Sequence, residues 1–173
     1  MARISIELLI YTLVLVLAQV LVFNHICLFG LAVPFVFIFV LLRLPVTLSR
    51  EWCFTIAFLI GLIIDVFSDT LGMNALSCTL FMALRRPVLR LYVMRDDEIT
   101  NPCPGSASLG FFTYVKYAST MSLIYCIFIF TIEAFTFLNP LQTALRIAAS
   151  AVLTSLLLIG IDSLTLSRRE KRL

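Results

Sequence analysis

The sequence is poor in charge. Asp, Glu, Lys and Arg make up 13% of its 173 residues, against 61% for the AVILMFWYC class. A water-soluble domain carries about a quarter charged residues, because they cover its surface. A soluble enzyme, a disordered chain, a collagen and a coiled coil are therefore excluded together. Histidine is reduced to one residue, His25. The cysteines, Cys27, Cys53, Cys78, Cys103 and Cys126, form no CxxC and no cluster with histidine. That argues against a zinc or iron–sulfur centre. An odd, scattered set is no disulfide framework either, and buried packing is the ordinary role of such thiols. No HExxH, GxSxG or phosphate-loop motif occurs. The expectation is a protein that is not an enzyme, with no catalytic residues, no cofactor and no metal.

What is present is apolar length. Each membrane crossing needs about 20 apolar residues, so the chain has room for roughly five to seven crossings. Six runs stand out, at approximately 4–23, 28–42, 52–66, 73–91, 111–138 and 141–166. They predict an all-α integral membrane protein of about six transmembrane helices, one domain over 1–173. The first run is too long for a signal-peptide core and no small-x-small site comes after it, so it reads as a retained helix. The second carries Pro34, whose freed carbonyl neighbouring helices can cover. The third spans only about 22 Å at 1.5 Å per residue, against a hydrocarbon core of about 30 Å. Runs three and four either tilt and extend with their flanks or form a re-entrant hairpin. Residues 96–110 read as a polar loop.

Charge sidedness orders these runs. Numbered alternately, one set of connections holds Arg3, Arg43, Arg50, Arg85, Arg86, Arg90, Arg95, Lys116 and the basic C-terminal residues. The other set, 24–27, 67–72 and 139–140, holds no Lys or Arg. The positive-inside rule then places both termini in the cytoplasm. The outer turns are too short for an ectodomain.

Ionisable residues inside apolar runs cost about 2.5–3.5 kcal/mol each near a helix centre, so they are the first candidates. They are Glu7, Asp65, Glu133, Arg146 and Asp162. Glu133 and Arg146 lie nearly equidistant from the Asn139-Pro140 turn and reach one depth in an antiparallel hairpin. They form either a structural clamp or a site for a partner or polar ligand. Asp65 has Gly61 one turn before it and Asp69 one turn after. Gly61 permits close helix approach. Asp65 is a structural carboxylate near Ser68, Thr70 and Asn74, or a partner of Arg146. Glu7 and Asp162 lie near the inner face and can reach the surface by snorkelling. Arg85, Arg86, Arg90 and Arg95 alternate with apolar residues. Such a segment suits the inner leaflet and its anionic lipids, or a docking cytoplasmic protein. Sidedness already accounts for this basic charge, so no nucleic acid is implied.

Gly61-Leu-Ile-Ile-Asp65-Val-Phe-Ser68, with Gly72-Met-Asn-Ala-Leu76 after it, resembles the signature of the rod-shape-determining protein MreD family. Its pattern is a helix ending in GxxxD, a polar turn, and a glycine opening the next apolar run. Arg86-Pro87-Val88-Leu89-Arg90 resembles the segment C-terminal to that pattern in some members. The resemblance implies a non-enzymatic subunit of the bacterial cell-elongation machinery in the inner membrane. Its implied partners are membrane lipids and MreC, and through MreC the actin-like MreB and the RodA and penicillin-binding-protein synthases. Gly61, Asp65, Asp69 and Gly72 become structural or partner-binding residues. The family is also similar in fold to the S-components of energy-coupling-factor transporters. That supplies a second expectation, a vitamin-like capture subunit with a polar, aromatic-lined pocket.

Overall fold

The computed structural model describes residues 2–23, 32–70, 72–92, 104–134 and 140–170, with backbone alone at 2–9, 107 and 166–170. With no water in an apolar medium, backbone groups must bond within their own segment, which favours helix. The described residues accordingly form helices and no strand. They are α1 (Ala2–Ala18), continued by a π-helical turn over Gln19–Phe23, α2 (Ile38–Arg43), α3 (Arg50–Ser68) and α4 (Met73–Tyr92). The one-turn α5 (Ser106–Leu109), α6 (Phe111–Glu133) and α7 (Pro140–Glu170) complete the set. Among the described residues, three stretches are long and apolar enough to cross a membrane: Arg50–Ser68, Phe111–Glu133 and Pro140–Thr165.

α3 and α4 have 19 and 20 residues, which at 1.5 Å per residue is about 28 and 30 Å. α3 outgrows its apolar run at both ends, from Arg50 to Ser68, while α4 follows the fourth run through Pro87 and ends one residue beyond it at Tyr92. α3 stops where Asp69 turns left-handed at φ 52°, its N–H returning to the Asp65 carbonyl. Gly72, at φ 77°, then opens α4. That conformation costs glycine nothing because it has no Cβ.

The second apolar run is not one helix. Among its described residues Ile38–Arg43 is α-helical, and residues 33–35 carry no regular structure. Pro34 has no N–H to give and disfavours helix at Val33. Three side chains from other helices take up the backbone groups left open. Ser150 Oγ accepts from the Val33 N–H at 3.0 Å and Thr154 Oγ1 from the Phe35 N–H at 3.1 Å. Gln19 Oε1 accepts from the Val36 N–H at 2.8 Å, and its Nε2 donates to the Pro34 carbonyl at 3.0 Å. Irregular backbone inside a core is tolerable only with such partners. The short α2 is the centre of the core: Ile38 to Leu42 are each at most 2% exposed.

Around it α3 packs along α4, α4 on α6 and α6 on α7. Tyr125 of α6 stands at the middle, its ring edge-on to Phe35, Phe37 and Phe81 at 5.1, 5.6 and 6.0 Å. Such edge-to-face contacts add about 0.5–1.5 kcal/mol each beyond area burial.

Candidate functional site

The polar residues gather in two buried clusters at opposite ends of the bundle. The first is built on Asp65, which is 3% exposed. Gly61, one turn earlier, lets the backbones of α3 and α4 touch: a Cβ there would lie 2.5 Å from Ala75 Cα and 2.7 Å from the Asn74 carbonyl oxygen. This approach brings the Asp65 carboxylate to the start of α4. Oδ1 accepts from Thr70 Oγ1 at 2.5 Å and from the Asn74 backbone N–H and Nδ2, both at 3.0 Å. Oδ2 accepts from the Ala75 N–H at 2.8 Å. Asp65 thus caps α4 from another helix, filling donors that a helix start leaves open. The positive end of the α4 dipole favours the charge. Asn74 Oδ1 in turn accepts from the Tyr125 hydroxyl at 2.9 Å, so α3, α4 and α6 are tied at one point. Asp69 is exposed and Gly72 half-buried; they shape the turn and leave the ligating to Asp65.

The second cluster joins elements far apart in sequence. Arg43, ending α2, pairs with Asp162 of α7 at 2.9 Å. The other Asp162 oxygen accepts from the Ser106 N–H at 3.2 Å and from the Ser106 hydroxyl. The guanidinium also lies 5.1 Å over the Phe39 ring. Asp162 does not snorkel as expected: it is 1% exposed. It falls on a buried α7 face with Ser150, Thr154 and Leu158, spaced four residues apart on one side of the helix. The polar periodicity within this apolar helix is the signal that could have found it.

Arg85 also departs from expectation. It does not lie on the inner leaflet but is 1% exposed, one turn beyond Phe81 on the inward face of α4. Its guanidinium donates to the carbonyls of Leu42, at 3.1 Å, and Leu44. The last carbonyls of a helix lack partners and attract a cation, so α2 is capped by α4. Arg86 donates to the Leu48 carbonyl at 2.5 Å, and Arg90 is exposed. Arg95, the Glu7 side chain, His25, Cys27 and Cys103 lie outside the described residues.

Glu133 and Arg146 come together at 4.0 Å, with side chains 52% and 38% exposed. Arg146 therefore faces Glu133, and Asp65 is occupied by α4. An ion pair this open contributes about 0.2–1 kcal/mol. In a double-mutant cycle of Glu133→Gln and Arg146→Gln, read by thermal unfolding, the coupling should fall in that range. The charge swap should restore it. Strict additivity would show that the pair carries no energy.

No family model, curated protein or solved structure matches the chain.

Chemically, the carboxylate oxygens of Asp65 and Asp162 are all taken up in holding helices together. Among the described residues no group of His, Cys, Asp or Glu is placed to hold a metal ion. The open feature is a groove of about 690 Å3 between α1 and α3. Its walls are apolar and, apart from Phe67, without aromatic rings: Leu13, Leu17 and Leu21 from α1 and its π-helical continuation face Leu59 and Ile63 from α3. These side chains are 44–69% exposed, as other apolar side chains of the long helices are; what sets this surface apart is its concave shape.

Proposed function

We propose that this chain is a non-enzymatic subunit of the bacterial inner membrane that organises the cell-elongation (rod) complex, and with it peptidoglycan synthesis and cell shape, by binding partners. The resemblance of Gly61–Ser68 and Gly72–Leu76 to the MreD signature suggests the class. The observation that carries the reading is the groove between α1 and α3, an apolar trough open along two helices. Such a trough suits an apolar helix laid along it, since close packing is what drives helix association in lipid. The partner proposed for it is the membrane helix of MreC, through which MreB and the RodA and penicillin-binding-protein synthases are reached. A vitamin-like ligand fits the groove poorly, because its lining includes no Tyr or Trp and Thr12 is its only polar side chain.

Filling the trough tests this. Leu17→Trp with Leu59→Trp should abolish co-purification of MreC after mild detergent extraction while leaving the melting temperature of the isolated chain unchanged. Retention of MreC by the double variant would overturn the assignment, as would its absence from the unmodified protein.

The same reading places both termini in the cytoplasm. Arg43 and Arg85 bracket the end of α2, and Arg50, Arg86 and Arg90 lie at the α3 start and the α4 end. The opposite turn at 67–72 has no basic residue, which supports this orientation. Reporter fusions at Leu173 and after Glu98 should both signal cytoplasm; an external signal from either contradicts it.

A further inference from the structure

Three arginines surround a second cavity, of about 350 Å3, where the start of α3 meets the end of α4. Arg50 comes from α3, and Arg86 and Arg90 from α4. The last two are one turn apart and share a helix face. Among the described residues none of the three forms an ion pair. Arg86 is held in place by its bond to the Leu48 carbonyl. A guanidinium has five N–H donors, so most of those on Arg86 stay available. Arg50 and Arg90 are exposed. Beneath this rim the cavity is apolar, walled by Phe54, Met82 and Ala83.

We propose that this cleft binds an anionic phospholipid of the cytoplasmic leaflet. The phosphate is clamped by Arg50, Arg86 and Arg90, and the upper part of an acyl chain lies against Phe54, Met82 and Ala83. Three cations around one opening with no acidic partner call for an anion, and arginine matches phosphate oxygens through paired N–H bonds. The apolar floor selects the amphiphile over a free ion. The volume is in the range of small-molecule sites, about 300–1,000 Å3. The site rests on the proposed orientation only for the choice of leaflet. It is separate from the α1–α3 groove, so its test and that of partner binding fail independently.

The test uses the full chain in a neutral detergent. The protein is titrated with phosphatidylglycerol, phosphatidylcholine or inorganic phosphate and read by native mass spectrometry and thermal unfolding. Phosphatidylglycerol should be retained at one site and raise the melting temperature. Its preference over phosphatidylcholine should be roughly tenfold or more, since each basic residue near an anionic headgroup is worth about a fivefold gain. Arg50→Gln with Arg90→Gln should lower the preference to about fivefold, the share of the remaining Arg86, with the lipid-free melting temperature unchanged; both side chains are exposed and make no internal bond that folding needs. Arg86 is left intact because it anchors Leu48. Equal binding of the two lipids would overturn the proposal. So would an undiminished preference in the double variant. Inorganic phosphate alone reproducing the shift would assign the site to a soluble anion instead and would equally overturn it.

Discussion

Asp65→Ala is expected to be among the most destabilising single substitutions in the protein. Four donors lose their acceptor at once: the Thr70 hydroxyl, the Asn74 and Ala75 backbone N–H groups and Asn74 Nδ2. A buried donor left unpaired costs about 1–3 kcal/mol, so the total should reach roughly 4 kcal/mol or more. The start of α4 cannot turn to water for replacement, since Asn74 and Ala75 are buried. Asp65→Asn keeps one acceptor oxygen but points an amide donor at one of the N–H groups. About half the loss is expected there. Gly61→Ala attacks the same junction sterically. Its Cβ meets backbone, not a flexible side chain, and overpacking of this kind costs about 1–3 kcal/mol. Asp69→Asn is the control. It sits exposed at a left-handed position that asparagine tolerates, so its effect should stay within about 0.5 kcal/mol. Thermal unfolding in detergent and abundance in the membrane measure all four. If Asp65→Ala were no worse than Asp69→Asn, the α3–α4 junction would not depend on the carboxylate.

Breaking the Arg43–Asp162 pair should have an effect of similar size. Removing one member of a buried pair leaves an uncompensated charge and costs about 3–5 kcal/mol. Asp162→Ala should be worse than Arg43→Met, because Ser106 also loses its acceptor for both N–H and hydroxyl. The Arg43 charge left behind keeps 12% exposure and a ring face at Phe39, which offsets a part of that loss. The double substitution Arg43→Met with Asp162→Leu removes both charges and should recover part of the stability, since apolar replacement of a whole buried pair is often neutral. A double variant as unstable as the sum of Arg43→Met and Asp162→Leu, each measured alone, would show that the pair carries no coupling. The readout is again the melting temperature. Limited proteolysis in the 96–110 region adds a local one, because Ser106 is what Asp162 holds.

These two clusters stand in different relations to the sequence. The Gly61-x-x-x-Asp65 spacing is visible along the chain, and so are the nearby Thr70 and Asn74, because all belong to one hairpin. A local motif is legible when its partners are less than about three helical turns away in the chain. Arg43 and Asp162 are separated by 119 positions. Each reads in sequence as a residue near the inner surface, where water would satisfy it. Arg85 misleads for a related reason. A basic residue after an apolar run reads as an interfacial anchor, yet its place on the α4 face aims it inward at two helix-end carbonyls. In the second run, apolar composition suggests a helix from 28 to 42. Pro34 is visible there, but the acceptors on Gln19, Ser150 and Thr154 that make extended backbone tolerable lie on other helices.

The sequence by itself determined the class: scarce charge and long apolar runs leave helices that satisfy their own backbone bonds. It also determined where α3 and α4 turn, because glycine and aspartate act there over a few residues. The tertiary structure alone decided which buried charge meets which partner, that the second run breaks, and that α1 and α3 leave a groove between them. Hydropathy and turn chemistry are local properties, readable along the chain. A buried hydrogen bond or ion pair depends on which faces of distant helices come together, and that is set by the packing of all of them at once.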